Sequence, residues 1–248
     1  MHMAKTIYRG DYRAPTHLID TIRLEFDLNA EETLVKSTLE VRPNPECTEK
    51  DPPLFLNGED ISLRSVSLDG RELKEGEYKV ESSGLTIPGI KSAQKLEIVN
   101  TFSPRANTAL SGIYASGVNL MSQCEAQGFR RITFFEDRPD VLARYTTVIR
   151  GSTEDYPVML SNGNLTEDRM LEDGRREVTY VDPFPKPCYL FALVAGKLVS
   201  RASKFSLKDG RTVDLSVWVD PQDLDKTEHT LESLKRAIRW DEERWGLE

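Results

Sequence analysis

Apolar and polar residues alternate with a period of two along most of this chain. Ile22, Leu24, Phe26 and Leu28 interleave with Thr21, Arg23, Glu25 and Asp27. This is the pattern of a strand with one face buried and one in water, because successive strand side chains point to opposite faces. Asn29-Ala30-Glu31-Glu32 can turn the chain into residues 33–41, where Val35, Leu39 and Val41 point one way and Lys36, Thr38 and Glu40 the other. Further strands are expected at 53–57, 61–68, 77–80, 94–101, 141–150, 175–181, 189–195, 197–206 and 211–219, separated by Gly, Pro, Asn and Asp. Asp69-Gly70 and Asp173-Gly174 read as hairpin turns, since glycine adopts positive φ without steric cost, so antiparallel pairing is expected. Pro183, Pro185 and Pro187 remove three ladder donors, which makes 182–187 an extended connector into an apolar strand at 189–195.

One segment changes the period. After Asp220-Pro221-Gln222-Asp223, residues 224–245 place Leu231, Leu234, Ile238 and Trp245 on one helical stripe, and Gly246 supplies a C-terminal stop. The pattern predicts a mainly β fold, a twisted antiparallel β-sandwich of a size that one domain can fill, ending in a helix. Residues 43–53, with Pro43, Pro45, Pro52 and Pro53, read as a loop.

Composition narrows the function classes. The 248 residues carry a formal net charge of −8, with Lys and Arg scattered along the chain. That argues against nucleic acid, which needs a basic patch. No apolar run approaches the roughly 18 residues of a membrane-spanning helix, and Met1-His2-Met3-Ala4-Lys5 lacks the apolar core of a signal peptide, so a soluble, cytoplasmic protein with no membrane partner is expected. Met1-His2-Met3 reads as an expression remnant, which keeps His2 out of any metal argument. Cys47, Cys124 and Cys188 fit neither a disulfide framework nor a paired zinc pattern, and reduced thiols are expected. Cys124 reads as a buried structural thiol, since no histidine is near it in sequence to activate it as a nucleophile.

The densest chemistry lies at Ser122-Gln123-Cys124-Glu125-Ala126-Gln127-Gly128-Phe129-Arg130, followed by Phe134-Phe135-Glu136-Asp137-Arg138-Pro139. From residue types alone this is a polar loop after a strand, open to two readings. It is a salt-bridged surface turn, or it is a binding surface in which Glu125 receives a ligand cation and Gln123 offers a donor and an acceptor. Glu136 with Asp137, or Asp137 with Asp140, makes a poor glycosidase pair, because strand neighbours point to opposite faces, and too few oxygen ligands are present for calcium. Asp137, Arg138 and Arg144 are expected to form an ion-pair network that holds the loop. His229 reads as a solvated helix position.

The same segment, with Asp137-Arg138-Pro139-Asp140-Val141-Leu142-Ala143-Arg144, resembles the amino-terminal domain of zinc aminopeptidases of the aminopeptidase N type, in the gluzincin clan. Further matches run along the chain: Tyr12-Arg13-Ala14-Pro15, Leu56-Asn57-Gly58-Glu59-Asp60, Ala106-Asn107-Thr108-Ala109-Leu110, Leu160-Ser161-Asn162-Gly163-Asn164, and residues 182–196 from Asp182-Pro183-Phe184-Pro185 to Gly196.

The resemblance implies a saddle-like β-domain over residues 1–222. It also implies that 223–248, with Trp240-Asp241-Glu242-Glu243-Arg244, is the first helix of a thermolysin-like catalytic domain whose remainder lies beyond this sequence. The family binds zinc through H-E-x-x-H and a later Glu, and closes on substrate with G-A-M-E-N. None of these occurs among the 248 residues, whose three histidines are His2, His17 and His229. No catalytic residue, metal ligand or cofactor is therefore assigned to this chain, which is expected to be inactive alone, with zinc in the parent enzyme and the catalytic domain as its partner in cis. Carried over residue by residue, Glu125 matches the glutamate that receives the free α-amino group of a peptide substrate, and Gln123 matches a residue lining the pocket for the first side chain. Two other readings stay open. One is a stand-alone β-sandwich binding or interaction module. The other is a leukotriene-epoxide-hydrolase-like relative, in which Gln usually stands where this chain has Glu125.

Overall fold

A computed structural model of the chain describes residues 8–246. The Met1-His2-Met3 reading lies outside the described residues. Among the described residues, seventeen strands and one α-helix follow in order. The first half holds β1 (His17–Asp27), β2 (Thr33–Pro43), β3 (Leu54–Asn57), β4 (Ser62–Leu68), β5 (Arg71–Glu72), β6 (Lys79–Glu81), β7 (Gly84–Ile87) and β8 (Gln94–Phe102). Next come β9 (Gly112–Ser116), β10 (Asn119–Gln123), β11 (Leu142–Gly151), β12 (Val158–Ser161), β13 (Asn164–Met170) and β14 (Arg176–Pro187). The series ends with β15 (Leu193–Gly196), β16 (Val199–Ser206), β17 (Thr212–Val219) and the helix α1 (Thr227–Trp245).

Eight strands form one sheet in the order β13-β14-β11-β1-β2-β8-β4-β5. A three-stranded sheet, β3-β7-β6, and a four-stranded sheet, β12-β15-β10-β9, pack with it around a common hydrophobic cluster. Ile22, Leu24 and Phe26 of β1 enter this cluster with Val35, Leu39 and Val41 of β2, so the period-two pattern buries the face it predicts. Asp69 and Gly70 both take positive φ, 51° and 80°, which is what the tight β4–β5 hairpin requires. No helix of the described residues is long and apolar enough to cross a membrane.

The structure adds β7, β9, β10 and β12 to the expected strands, and four further departures have clear physical causes. β1 pairs with β11 in parallel, from Thr21↔Arg144 to Asp27↔Arg150, a long-range choice that local alternation cannot encode. Residues 182–187 are not a connector, because β14 runs through them to Pro187. Its register against β11 shifts between Ala143 and Tyr145, leaving Pro183-Phe184-Pro185 outside the ladder, so the missing donors are tolerated at an irregularity. The expected strand at 189–195 is instead a 3-10 turn, Cys188–Leu190, followed by the short β15. Finally, β13 escapes the pattern altogether: all seven of its residues are exposed at the sheet edge, so no buried face imposes alternation.

α1 begins at Thr227, after a 3-10 turn over Pro221–Lys226, and ends on Gly246 at φ 66°. It packs on the β16–β17 hairpin. Arg201 Nε donates to Thr227 Oγ1 at 2.8 Å, Lys208 N to Glu242 Oε1 at 2.7 Å, and Arg239 Nη2 to the Ser206 carbonyl at 3.0 Å. Of the predicted stripe Leu231 is buried, while Leu234 and Trp245 are exposed.

Candidate functional site

β10 ends at Gln123, which pairs with Gly112 across the β9–β10 hairpin. The alternation of the strand then continues for two residues: Cys124 turns inward and is buried, while Glu125 stays outside. The Gly128 amide donates to the Cys124 carbonyl at 2.8 Å and closes the turn, which passes into a 3-10 turn over Phe129–Arg131. Only glycine fits at 128, because a Cβ would lie 2.4 Å from the Gln123 carbonyl oxygen and 2.9 Å from the Gly112 nitrogen. The Glu125–Ala126 peptide is cis. Glu125, Ala126 and Gln127 face solvent. Gln123 Nε2 reaches the Glu125 carbonyl at 3.4 Å, and the Glu125 carboxylate has no partner among the described residues.

The underside of this loop is tightly held. Phe129 is fully buried and meets the rings of Phe135, Phe191 and Tyr145 edge-on, at centroid distances of 5.2, 5.4 and 6.1 Å. Asp137 has a side chain only 1% exposed, and its Oδ2 accepts from Arg130 N at 3.2 Å and Arg130 Nε at 2.9 Å. Its Oδ1 accepts from Cys188 Sγ at 3.1 Å, while its amide donates to Asn57 Oδ1 at 3.2 Å. Asp137 thus ties the loop to the turn after β14 through its carboxylate and to β3 through its amide. A buried chain runs from Ser37 Oγ through Thr133 Oγ1 to Asn100 Oδ1, at 3.0 and 2.9 Å, and Asn100 Nδ2 donates to the Ile132 carbonyl. It fastens the residues after the 3-10 turn to β2 and β8.

These contacts sort the residues singled out in the sequence. Gln123 and Glu125 are two residues apart at one end of the hairpin, both exposed. Cys124 is buried, and burial, then the nearby Asp137 charge, push its thiol up to about 12, so it is no nucleophile at neutral pH. Burial also raises Cys188, which serves as a donor to Asp137. The expected network of Asp137, Arg138 and Arg144 is not one network. Asp137 pairs with Arg130, Arg138 pairs with Asp140 at 2.6 Å, and Arg144 donates to the Pro183 carbonyl where β14 leaves register. The sequence could not rank these cations, because Arg130 is brought to Asp137 by the 3-10 turn. Glu136 and Asp137 do not lie on a regular strand, since Phe135 makes only an isolated bridge to Asn57, and both carboxyls are buried. Glu136 Oε2 has no partner, and burial above all raises this carboxyl to about 7, with Arg138 lowering it and Asp140 raising it. His229 lies on the exposed side of α1 beside Ser233. His17 is buried against the Ile90 carbonyl, and burial lowers its pKa. No group of three or more His, Cys, Asp or Glu among the described residues can hold a metal ion.

The model of the Peptidase M1 N-terminal domain matches residues 8–190. This chain belongs to that family. The M1 domain is 48% identical over 241 residues to aminopeptidase N of Escherichia coli K12, a match that spans 97% of this chain and 27% of that protein. Its fold superposes on Legionella pneumophila aminopeptidase A, solved in complex with aspartic acid, with a TM-score of 0.91, 35% identity and coverage of 96% of this chain and 28% of that one. An M1 zinc metallopeptidase from Deinococcus radiodurans, an E323A mutant bound to a Tyr-Ser-Ala substrate, shares the fold at a TM-score of 0.69 and 15% identity over 83% of this chain. The M1 domain therefore spans little more than a quarter of the length of its aminopeptidase N relative.

Proposed function

We propose that this M1 domain supplies the amine-anchoring edge of a zinc aminopeptidase that removes amino-terminal residues from peptides. In this reading Glu125 receives the substrate α-ammonium group, and Gln123 lines part of the pocket for the first side chain. Residues 223–248 begin the catalytic domain, which works in cis and carries the zinc. Zinc chemistry would supply the activated water, and among the described residues no group of three or more His, Cys, Asp or Glu could hold the metal. Cys47, Cys124 and Cys188 are all free thiols, which suits a reducing compartment such as the cytoplasm.

The observation that carries the proposal is the Glu125 carboxylate: exposed, without a partner among the described residues, and held at the end of a hairpin whose underside is fixed by Asp137 and Phe129. Such an acceptor meets an ammonium group without first breaking an internal ion pair. Charge-assisted hydrogen bonds of this kind contribute about 1.5–3 kcal/mol each. Glu125→Ala in the enzyme that carries this domain should lower kcat/KM for an unblocked aminoacyl anilide by about 10- to 100-fold. Unchanged kinetics would remove Glu125 from the site.

A further inference from the structure

Glu136 has no task in the site described above. The residue is 7% exposed, its Oε2 is sealed from solvent without a hydrogen-bond partner, and its carboxyl makes no ion pair among the described residues. Burying a carboxylate without a partner is costly, so a group that stays in this condition calls for something to meet it. Two arginines stand close by, and both are already engaged. Arg130 Nε donates to Asp137 Oδ2 at 2.9 Å. Arg138 holds Asp140 with two bonds, Nε to Oδ1 at 2.8 Å and Nη2 to Oδ2 at 2.6 Å, and Nη2 also donates to the Arg13 carbonyl at 2.7 Å. The backbone around Glu136 is fixed as well, because Phe135 bridges to Asn57 and the Arg138 amide donates to the Glu136 carbonyl at 2.9 Å.

The carboxyl does not end in packed core. With Arg130, Arg138 and Gln127 it lines a cavity of about 420 Å³, to which Pro53 and Phe55 add apolar surface. That volume lies in the range of small-molecule sites, which pair apolar lining with a few placed polar groups. Asp137 and Arg130 neutralise each other there, Arg138 is neutralised by Asp140, and Glu136 is the one charge left over. The ligand that complements this cavity is therefore a cation. A metal ion fits poorly, since it needs several oxygen ligands and Asp137, the other carboxylate of the cavity, is committed to Arg130. An organic cation needs one counter-ion and an apolar wall for its stem, and Gln127 adds an amide oxygen that can accept a further hydrogen bond.

We propose that this cavity is a binding site for an organic cation, a guanidinium or primary ammonium group on a short aliphatic stem, with Glu136 as its counter-ion and Pro53 and Phe55 against the stem. Glu125 takes no part in this site. The test is calorimetric titration of this chain at pH 8, where the Glu136 carboxyl is charged, with n-butylguanidinium, n-butylammonium and neutral n-butylurea. The two cations should bind saturably and the urea should not. Glu136→Gln should weaken binding about 10- to 100-fold, the scale of one hydrogen bond to a charged group, and Glu125→Gln should leave it unchanged. Equal binding of the urea, binding retained in Glu136→Gln, binding lost in Glu125→Gln, or no saturable binding of either cation overturns the proposal. The same titration in the enzyme that carries this domain identifies the source of the cation. Binding that persists there assigns the cavity to a free ligand. Where a basic side chain of the longer protein fills the cavity instead, the titration fails and Glu136→Gln lowers the melting temperature of the enzyme. A failed titration with no loss of stability in that variant overturns the site.

Discussion

The underside and the rim of the 123–131 loop are built to opposite rules. Below, Phe129 is closed in by three aromatic rings and Asp137 by five hydrogen bonds to side chains and backbone. On the rim, Gln123 and Glu125 are exposed and the Glu125 carboxylate has no partner among the described residues. Stability should therefore be concentrated below and ligand contact above, within the fifteen residues 123–137. The sharpest way to break this division is Phe129→Ala. Emptying a fully buried aromatic site should cost about 4 kcal/mol, read as a lower denaturation midpoint at unchanged slope. A cost below about 1 kcal/mol would mean that the floor is not packed as described.

Asp137→Ala comes next. It strands the partly buried Arg130 guanidinium and the Cys188 thiol, and removing one partner of a buried pair costs about 3 kcal/mol. Asp137→Asn should cost less, since it keeps acceptor oxygen for Arg130. Equal losses in the two variants would show that the charge, not the hydrogen bonding, holds the loop.

Glu136 sharpens the contrast, because it sits beside Asp137, is also buried, and its Oε2 has no hydrogen-bond partner among the described residues. Burial lifts its carboxyl from the ordinary 4.5 to about 7. Between those values the native protein holds a proton that the unfolded chain releases, so this group's contribution to stability falls as pH rises through the window and is flat above it. Glu136→Gln removes the titration. The variant should match wild type below about pH 4.5 and exceed it by roughly 3 kcal/mol above pH 7, measured by denaturation across that range. A difference independent of pH would refute the account.

How far the sequence could be read follows from the same physics. β1 and β2 were legible because each presents one face to the core and one to water, and the Asp69-Gly70 turn because its dihedral angles demand those residues. β13 was not, since an edge strand exposed along its whole length has no reason to alternate. Residues 189–195 misled because a run of apolar residues fits a buried turn as well as a strand. At the site, Gln123 and Glu125 could be named from their resemblance to a family, whereas Asp137 could not be assigned to Arg130 and Cys188. Those partners come from a 3-10 turn in one case and from a position 51 residues away in the other. Local periodicity carries no information about either.

The smallest expected effect is also the one that tests the rim directly. Glu125→Ala removes an exposed carboxylate that forms no hydrogen bond or ion pair among the described residues, so its effect on stability should stay within about 0.5 kcal/mol, the ordinary range for exposed positions. Under the proposed function the same substitution lowers kcat/KM by one to two powers of ten, so stability and activity should separate completely at this residue while they move together at Phe129. A Glu125→Ala protein destabilised by more than about 1 kcal/mol would show that the carboxylate belongs to the floor, and its exposure would then be no argument for a waiting ligand. An unchanged melting curve beside a large kinetic loss would place the energy of Glu125 where its surroundings put it, in a contact made only when substrate arrives.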